Sequence, residues 1–275
     1  AGRGDRKGAL RLAAATAVIT ATMALASSDF PLDLGGVFGG AMHASQQALL
    51  WAGATWLLYL AVEPSIRRSR PELLVSWTRG LAGELRDPLL GRDLLVGCLA
   101  GLTMGGAISL AGWLKDWTQY PGNLNHYLRP EALDSAPDAV AVILQCLLTG
   151  LVWTLVVVAF VALARRKINH AFIAPVALWT LFCGVQVALY ARSWPIVLAT
   201  LLIEAISLAI LFRRGMVASV SARFVYWVAL TMPLTDDLQV PYLPITWVAV
   251  VPIAALVLWG AWIAVGIRPV GALDD

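Results

Sequence analysis

Charged residues are scarce in this sequence. Asp, Glu, Lys and Arg make up 13% of its 275 residues, against 59% hydrophobic residues. A soluble domain usually carries about 25% charge and about 45–50% apolar residues. So little polar surface cannot coat a water-soluble globule of this size, which excludes one. Lipid is the physical alternative as solvent for most of the surface, in keeping with a mean hydropathy of +0.75.

Cysteine and histidine are also few, at three each. Cys98, Cys146 and Cys183 are scattered through apolar runs, which is no disulfide framework. They read as inert, buried thiols. His43, His126 and His170 are isolated, and no Cys/His cluster has the spacing of a zinc site. H-E-x-x-H, G-x-S-x-G and G-x-x-x-x-G-K-[ST] are all missing. No span holds a pair of acids for intramembrane proteolysis, and no soluble segment is long enough for a nucleotide-binding domain. The basic residues are dispersed along the chain, so nothing forms a groove for nucleic acid. No catalytic, cofactor-binding or metal-ligating residue is assigned.

What the sequence has is long apolar runs. Crossing the hydrocarbon takes about 20 apolar residues in a helix. Eight runs qualify: Leu10–Ala26, Ala41–Val62, Leu94–Leu114, Ala139–Leu163, Ala171–Tyr190, Trp194–Phe212, Ala218–Leu234 and Ile245–Ile267. The first is short, and the seventh is broken by Pro233 and followed by Asp236 and Asp237. Twelve Trp are present. Several of them (Trp113, Trp117, Trp194, Trp247) fall near span ends, where an indole is half buried and half wet, while Trp51 lies midway along the second run. The expected fold is all-α, a polytopic transmembrane helix bundle of about eight spans over residues 1–275.

Charge orients these spans. With the N-terminus inside, all but Lys115, Arg129 and Arg192 of the 20 Lys and Arg fall on the cytoplasmic side, Arg223 among them. That sorting fits the positive-inside rule. One missed or invented span would invert every later loop and spoil it. Both termini are therefore expected in the cytoplasm. Arg3 to Ser28 also has the basic start, apolar stretch and Ala-Leu-Ala-Ser end of a signal peptide. Either reading places Asp29–Gly40 outside.

Residues 64–93 form the longest cytoplasmic loop. Ser69 and Glu72 have capping-box spacing around Pro71. Leu74, Trp77, Leu81 and Leu85 then make one apolar stripe. One expectation is a short amphipathic helix lying in the headgroup region. Arg67, Arg68, Arg70, Trp77, Arg79, Arg86 and Arg92 would then face anionic lipid. The other is a solvated helix packed on the bundle. The outer loop Lys115–Asp138 holds Pro121-Gly122-Asn123, Arg129-Pro130 and Ala136-Pro137. It reads as an irregular connector, with ligand binding as the less favoured reading.

Within the spans, Gly97, Gly101, Gly105 and Ser109 recur every four residues on one helix face. Small residues let backbones approach closely. The face serves packing inside the bundle or, less favoured, a homodimer contact. Glu204 lies near the middle of the sixth span, where an ionised group costs several kcal/mol unless paired or hydrated. It reads either as part of an ion relay or ligand site, or as a polar pin between helices. No partner for it is evident in the sequence. Gln46, Gln47, Gln145 and His43 also lie within spans and can hydrogen-bond across helices.

Two stretches carry a resemblance. Gly2-Arg3-Gly4-Asp5-Arg6-Lys7-Gly8-Ala9 leads into the first span. Trp56-Leu57-Leu58-Tyr59-Leu60-Ala61-Val62-Glu63-Pro64 ends the second, followed by Arg67-Arg68, Pro71, Ser76-Trp77-Thr78-Arg79, Leu81-Ala82-Gly83, Arg86-Asp87-Pro88 and Gly91-Arg92-Asp93. This order resembles the membrane-embedded C-terminal region of a family of bacterial serine/threonine protein kinases, most sharply over residues 56–93. Met232-Pro233-Leu234-Thr235-Asp236-Asp237-Leu238 is similar to a late outer loop of that region. The resemblance implies an upstream kinase domain in the same chain, which would hold the ATP and Mg. A first residue of Ala rather than Met agrees with that expectation. The segment itself lacks the Gly-rich loop, the H-R-D loop and the D-F-G site, so no catalytic residue carries over. The expectation is a non-catalytic domain of the bacterial inner membrane that anchors, and in a fuller version regulates, the kinase. A small transporter or permease subunit is the alternative, with Glu204, the Gly-rich third span and Pro252 on its substrate path.

Overall fold

The computed structural model describes residues 5–27, 33–117, 129–167, 173–190, 193–232, 234, 239 and 243–265. Arg3, Arg192, Arg268, His126, His170, Pro233, Asp236, Asp237 and the signal-peptide end at Ser28 lie outside the described residues. Among the described residues the chain is helical throughout. The elements are α1 (Arg6–Ala26), α2 (Leu34–Ser69), a 3₁₀ turn (Pro71–Leu74), α3 (Val75–Ala82), α4 (Pro88–Trp117), a second 3₁₀ turn (Pro130–Leu133), α5 (Ala136–Lys167), α6 (Ile173–Tyr190), α7 (Trp194–Arg214), α8 (Met216–Thr231) and α9 (Leu243–Val265).

Local chemistry sets several of these boundaries. Asp5 accepts from the Gly8 N–H at 2.8 Å and Asp33 from the Gly36 N–H at 2.7 Å, each satisfying an orphan donor at a helix start. At Gly215, φ is 92°, a left-handed turn that a side chain resists. A Cβ there would also lie 2.8 Å from the Leu73 carbonyl oxygen. One glycine thus reverses the chain between α7 and α8.

Six helices, α1, α2, α4, α5, α7 and α9, are long and apolar enough to cross a membrane. α8 has 16 residues, about 24 Å at 1.5 Å per residue, short of the ~30 Å hydrocarbon core. It is also the most enclosed helix, with α4, α5 and α7 packed around it. Twelve of its residues are buried. A helix walled in by protein need not meet lipid along its length.

The registers reveal the chain directions. Gly97, Gly101 and Gly105 of α4 meet Ala218, Ala222 and Ala229 of α8 in rising order, so these helices run parallel. Thr154 meets Ser219 and Cys146 meets Thr231, so α5 and α8 run antiparallel. Gly91 packs on Gly260, which sets α4 antiparallel to α9. α1 and α2 form a further antiparallel pair, with the Asp5 N–H donating to Glu63.

The loop helix differs from the first expectation. α3 is eight residues long, and Gly83 at φ 94° ends it before Leu85. The 3₁₀ turn has Pro71 at its start, but its N-cap is Arg70 and no side chain caps it. Leu73, Leu74 and Trp77 are buried in the main core cluster with Tyr59, Leu90 and Leu211. Burial removes Trp77 from the lipid-facing set. The apolar stripe is spent on the bundle, while Leu85 stays half exposed in the following turn.

Candidate functional site

The polar centre of the bundle is an ion pair between α7 and α8. Arg223 Nη2 donates to Glu204 Oε2 at 2.7 Å, and both side chains are 3% exposed. Glu204 sits midway along α7 and Arg223 midway along α8. The Arg223 guanidinium also lies over the Trp153 ring of α5, 5.3 Å from its centroid. That distance is within cation–π range. Gly150 of α5 makes room for the approach, since a Cβ there would lie 3.2 Å from Arg223 Cβ. Glu204 Oε1 is buried without a hydrogen-bond partner.

This corrects one expectation. Arg223 is not a cytoplasmic-face cation. It lies inside the bundle, and its charge is balanced by Glu204 rather than by water or lipid. Glu204 in turn has the partner that the sequence did not reveal. A buried pair is poor evidence for net stability, because desolvation offsets most of the Coulomb gain. It is strong evidence for register. Each charge becomes very costly once the other moves away, so the pair holds α7, α8 and α5 in one alignment.

Neutral hydrogen bonds extend the same seam. Thr154 and Ser219 hydroxyls lie 3.1 Å apart, and Cys146 Sγ lies 3.3 Å from Thr231 Oγ1. Ser207 donates to Met104 Sδ at 3.3 Å, tying α7 to α4. On the opposite side of α8 lies the glycine face of α4. A Cβ on Gly97 or Gly101 would come within 2.5 Å of the Ala218 or Ala222 carbonyl oxygen, and one on Gly105 within 2.9 Å of Ala229 Cβ. Ser109, the fourth small residue of that series, is exposed and takes no part.

The arginines of the loop gather at one end of the bundle. Arg11 donates to the Leu81 carbonyl at 2.7 Å, joining the start of α1 to α3. Arg70 lies over Phe212 and Arg86 over Trp262. Arg67 pairs with Glu63, and Arg92 lies 3.9 Å from Asp93. Arg68 is exposed. Arg79 pairs with Asp87 at 2.6 Å. That bond holds the Asp87 carboxyl below its ordinary value and raises the Arg79 guanidinium. The starts of α1, α4 and α8 thus meet the ends of α2, α7 and α9 at this end, beneath α3.

No group of three or more His, Cys, Asp or Glu side chains converges among the described residues, so they offer no metal site. Cys98, Cys146 and Cys183 are free, buried thiols. Gln145 bonds within its own helix to Thr149. His43 is exposed on α2. Comparison with family models, curated proteins and solved structures finds no match to this chain.

Proposed function

We propose that this chain is a non-catalytic membrane bundle that holds a serine/threonine protein kinase domain against the inner face of a bacterial plasma membrane. In this reading α6 and α8 cross the bilayer together with the six long helices. α8 crosses in the shelter of its neighbours, and an even number of crossings leaves both chain ends in the cytoplasm. The basic end of the bundle then faces the cytoplasm, where exposed Arg67, Arg68, Arg79 and Arg92 meet anionic headgroups.

The observation that carries the proposal is how α1 begins. Asp5 is tied to Glu63, and Arg11 to the end of α3. A domain attached ahead of residue 5 would therefore join the bundle at a fixed point in this basic layer. Confinement of that kind raises the effective concentration of membrane-bound substrates. The resemblance over residues 56–93 supplies the identity of the attached domain.

The test is to read the open frame upstream of the codon for Ala1. A kinase domain in the same frame supports the anchor, and a frame without one removes it. Transport is the second reading, favoured by the buried Glu204–Arg223 pair with its unpartnered carboxylate oxygen. Solute flux through liposomes that is lost in Glu204→Gln but kept by Trp77→Ala, a variant expected to lose comparable stability, supports that reading instead.

A further inference from the structure

At the end of the bundle opposite the arginine layer, a cavity of about 650 Å³ opens between the end of α1, the start of α5 and the end of α8. Its size lies within the range of small-molecule sites, roughly 300–1,000 Å³. One lip is the 3₁₀ turn Pro130–Leu133, which is anchored rather than loose. The Arg129 N–H donates to the Thr231 carbonyl at 3.1 Å, and Ala132 is fully buried.

The lining is sorted by depth. Arg129, Glu131 and Asp138 supply charge at the rim, and Gln145 and Thr149 lie further down α5. Asp138 to Thr149 spans ~16 Å of helix, so the lining runs along α5 for about half the thickness of a ~30 Å hydrocarbon core. Neither Arg129 nor Glu131 forms an ion pair among the described residues. Asp138 uses one carboxylate oxygen on the Ser135 hydroxyl and keeps the other. Trp227 contributes a wall whose indole N–H is buried without a hydrogen-bond partner.

We propose that this cavity binds a small zwitterion of the amino-acid type. Its ammonium group meets Asp138 and Glu131, its carboxylate meets Arg129, and a neutral hydrogen-bonding side chain reaches Gln145 and Thr149. The rim chemistry selects this class. A simple anion would meet two carboxylates for one arginine, and a simple cation would leave Arg129 unanswered. An acyl chain would leave the buried indole N–H of Trp227 without a partner, at the cost of an unpaired polar group. The inference stands apart from the kinase and transport readings, because any of them tolerates a ligand site on this face.

The test uses the purified full chain in lipid nanodiscs, with thermal unfolding followed by tryptophan fluorescence. The probes are L-glutamine and L-serine, with sodium acetate, ethylammonium chloride and glucose at equal concentration. The expected result is a saturable rise in melting temperature with the two amino acids alone. Arg129→Gln should weaken the L-glutamine Kd about tenfold or more, through loss of a charge-assisted contact. Glu131→Gln should weaken it less, because Asp138 remains. Both side chains are exposed, so both variants should melt normally without ligand. The proposal is overturned if neither amino acid gives a saturable shift, if glucose gives the same shift, or if Arg129→Gln leaves the Kd unchanged.

Discussion

Glu204 and Arg223 meet at 2.7 Å in the middle of the bundle, on two antiparallel helices joined by a single glycine turn. Their pairing explains how a chain this apolar tolerates two full charges at its centre. It also makes the alignment of α7 and α8 an all-or-none matter, because a small slip leaves both groups desolvated and alone.

The first prediction concerns that coupling. Glu204→Leu or Arg223→Met alone should destabilise the bundle by about 3–5 kcal/mol, the usual cost of orphaning a buried charge. The double variant Glu204→Leu with Arg223→Met should cost far less than the sum, since no charge is left behind. A double-mutant cycle on unfolding in detergent measures this directly. Additive losses would show that the two residues do not act as a pair.

The same hairpin shows what was legible beforehand. The apolar runs place every long helix, because lipid solvation writes itself into composition. The pairing was readable only in part. Gly215 lies 11 residues after Glu204 and eight before Arg223, so a sharp turn there brings the two to similar depth. Arg223 also interrupts an apolar run. That arginine fits the positive-inside pattern equally well, so the interruption is no mark by itself. The docking of α3 was less legible still. The stripe of Leu74 and Trp77 is the same whether it faces lipid or protein, and only tertiary packing decides. The cavity at the other end depends on distant segments converging, for which Arg129 and Gln145 carry no local mark.

A second prediction uses the glycine face of α4. Gly101→Ala would push a methyl to 2.5 Å from the Ala222 carbonyl oxygen, so α4 and α8 must separate. The melting temperature should fall sharply. Gly106→Ala meets nothing within 4 Å. It should be neutral, or stabilising by up to about 1 kcal/mol through helix propensity. Equal effects at the two positions would remove the α4–α8 contact from the account.

A third prediction tests α3. Trp77→Ala should cost about 3–5 kcal/mol, as for other buried large-to-small changes. The α3 amides should also lose hydrogen-exchange protection. An exposed interfacial Trp would instead change little beyond lipid association.

A fourth concerns acidity at the arginine layer. Asp87 is held below its ordinary carboxylate value by Arg79. Its contribution to the α3–α4 turn is complete above the unfolded carboxylate value of about 3.9. It is lost as pH falls through the lower, folded value. Exchange at residues 83–87 should therefore rise only in that acidic window, and Arg79→Gln should move the onset to higher pH. An onset that ignores Arg79 would remove the ion pair as its cause.

The central claim is that the arginine layer and the outer cavity lie on opposite sides of a bilayer. With Cys98, Cys146 and Cys183 replaced, single cysteines at Glu84 and Glu131 can be treated with a membrane-impermeant maleimide in intact bacterial cells opened only at the outer membrane. The account predicts that Glu131→Cys labels at once and that Glu84→Cys labels only after the inner membrane is permeabilised. Labelling of both without permeabilisation, or of Glu84→Cys alone, would contradict it.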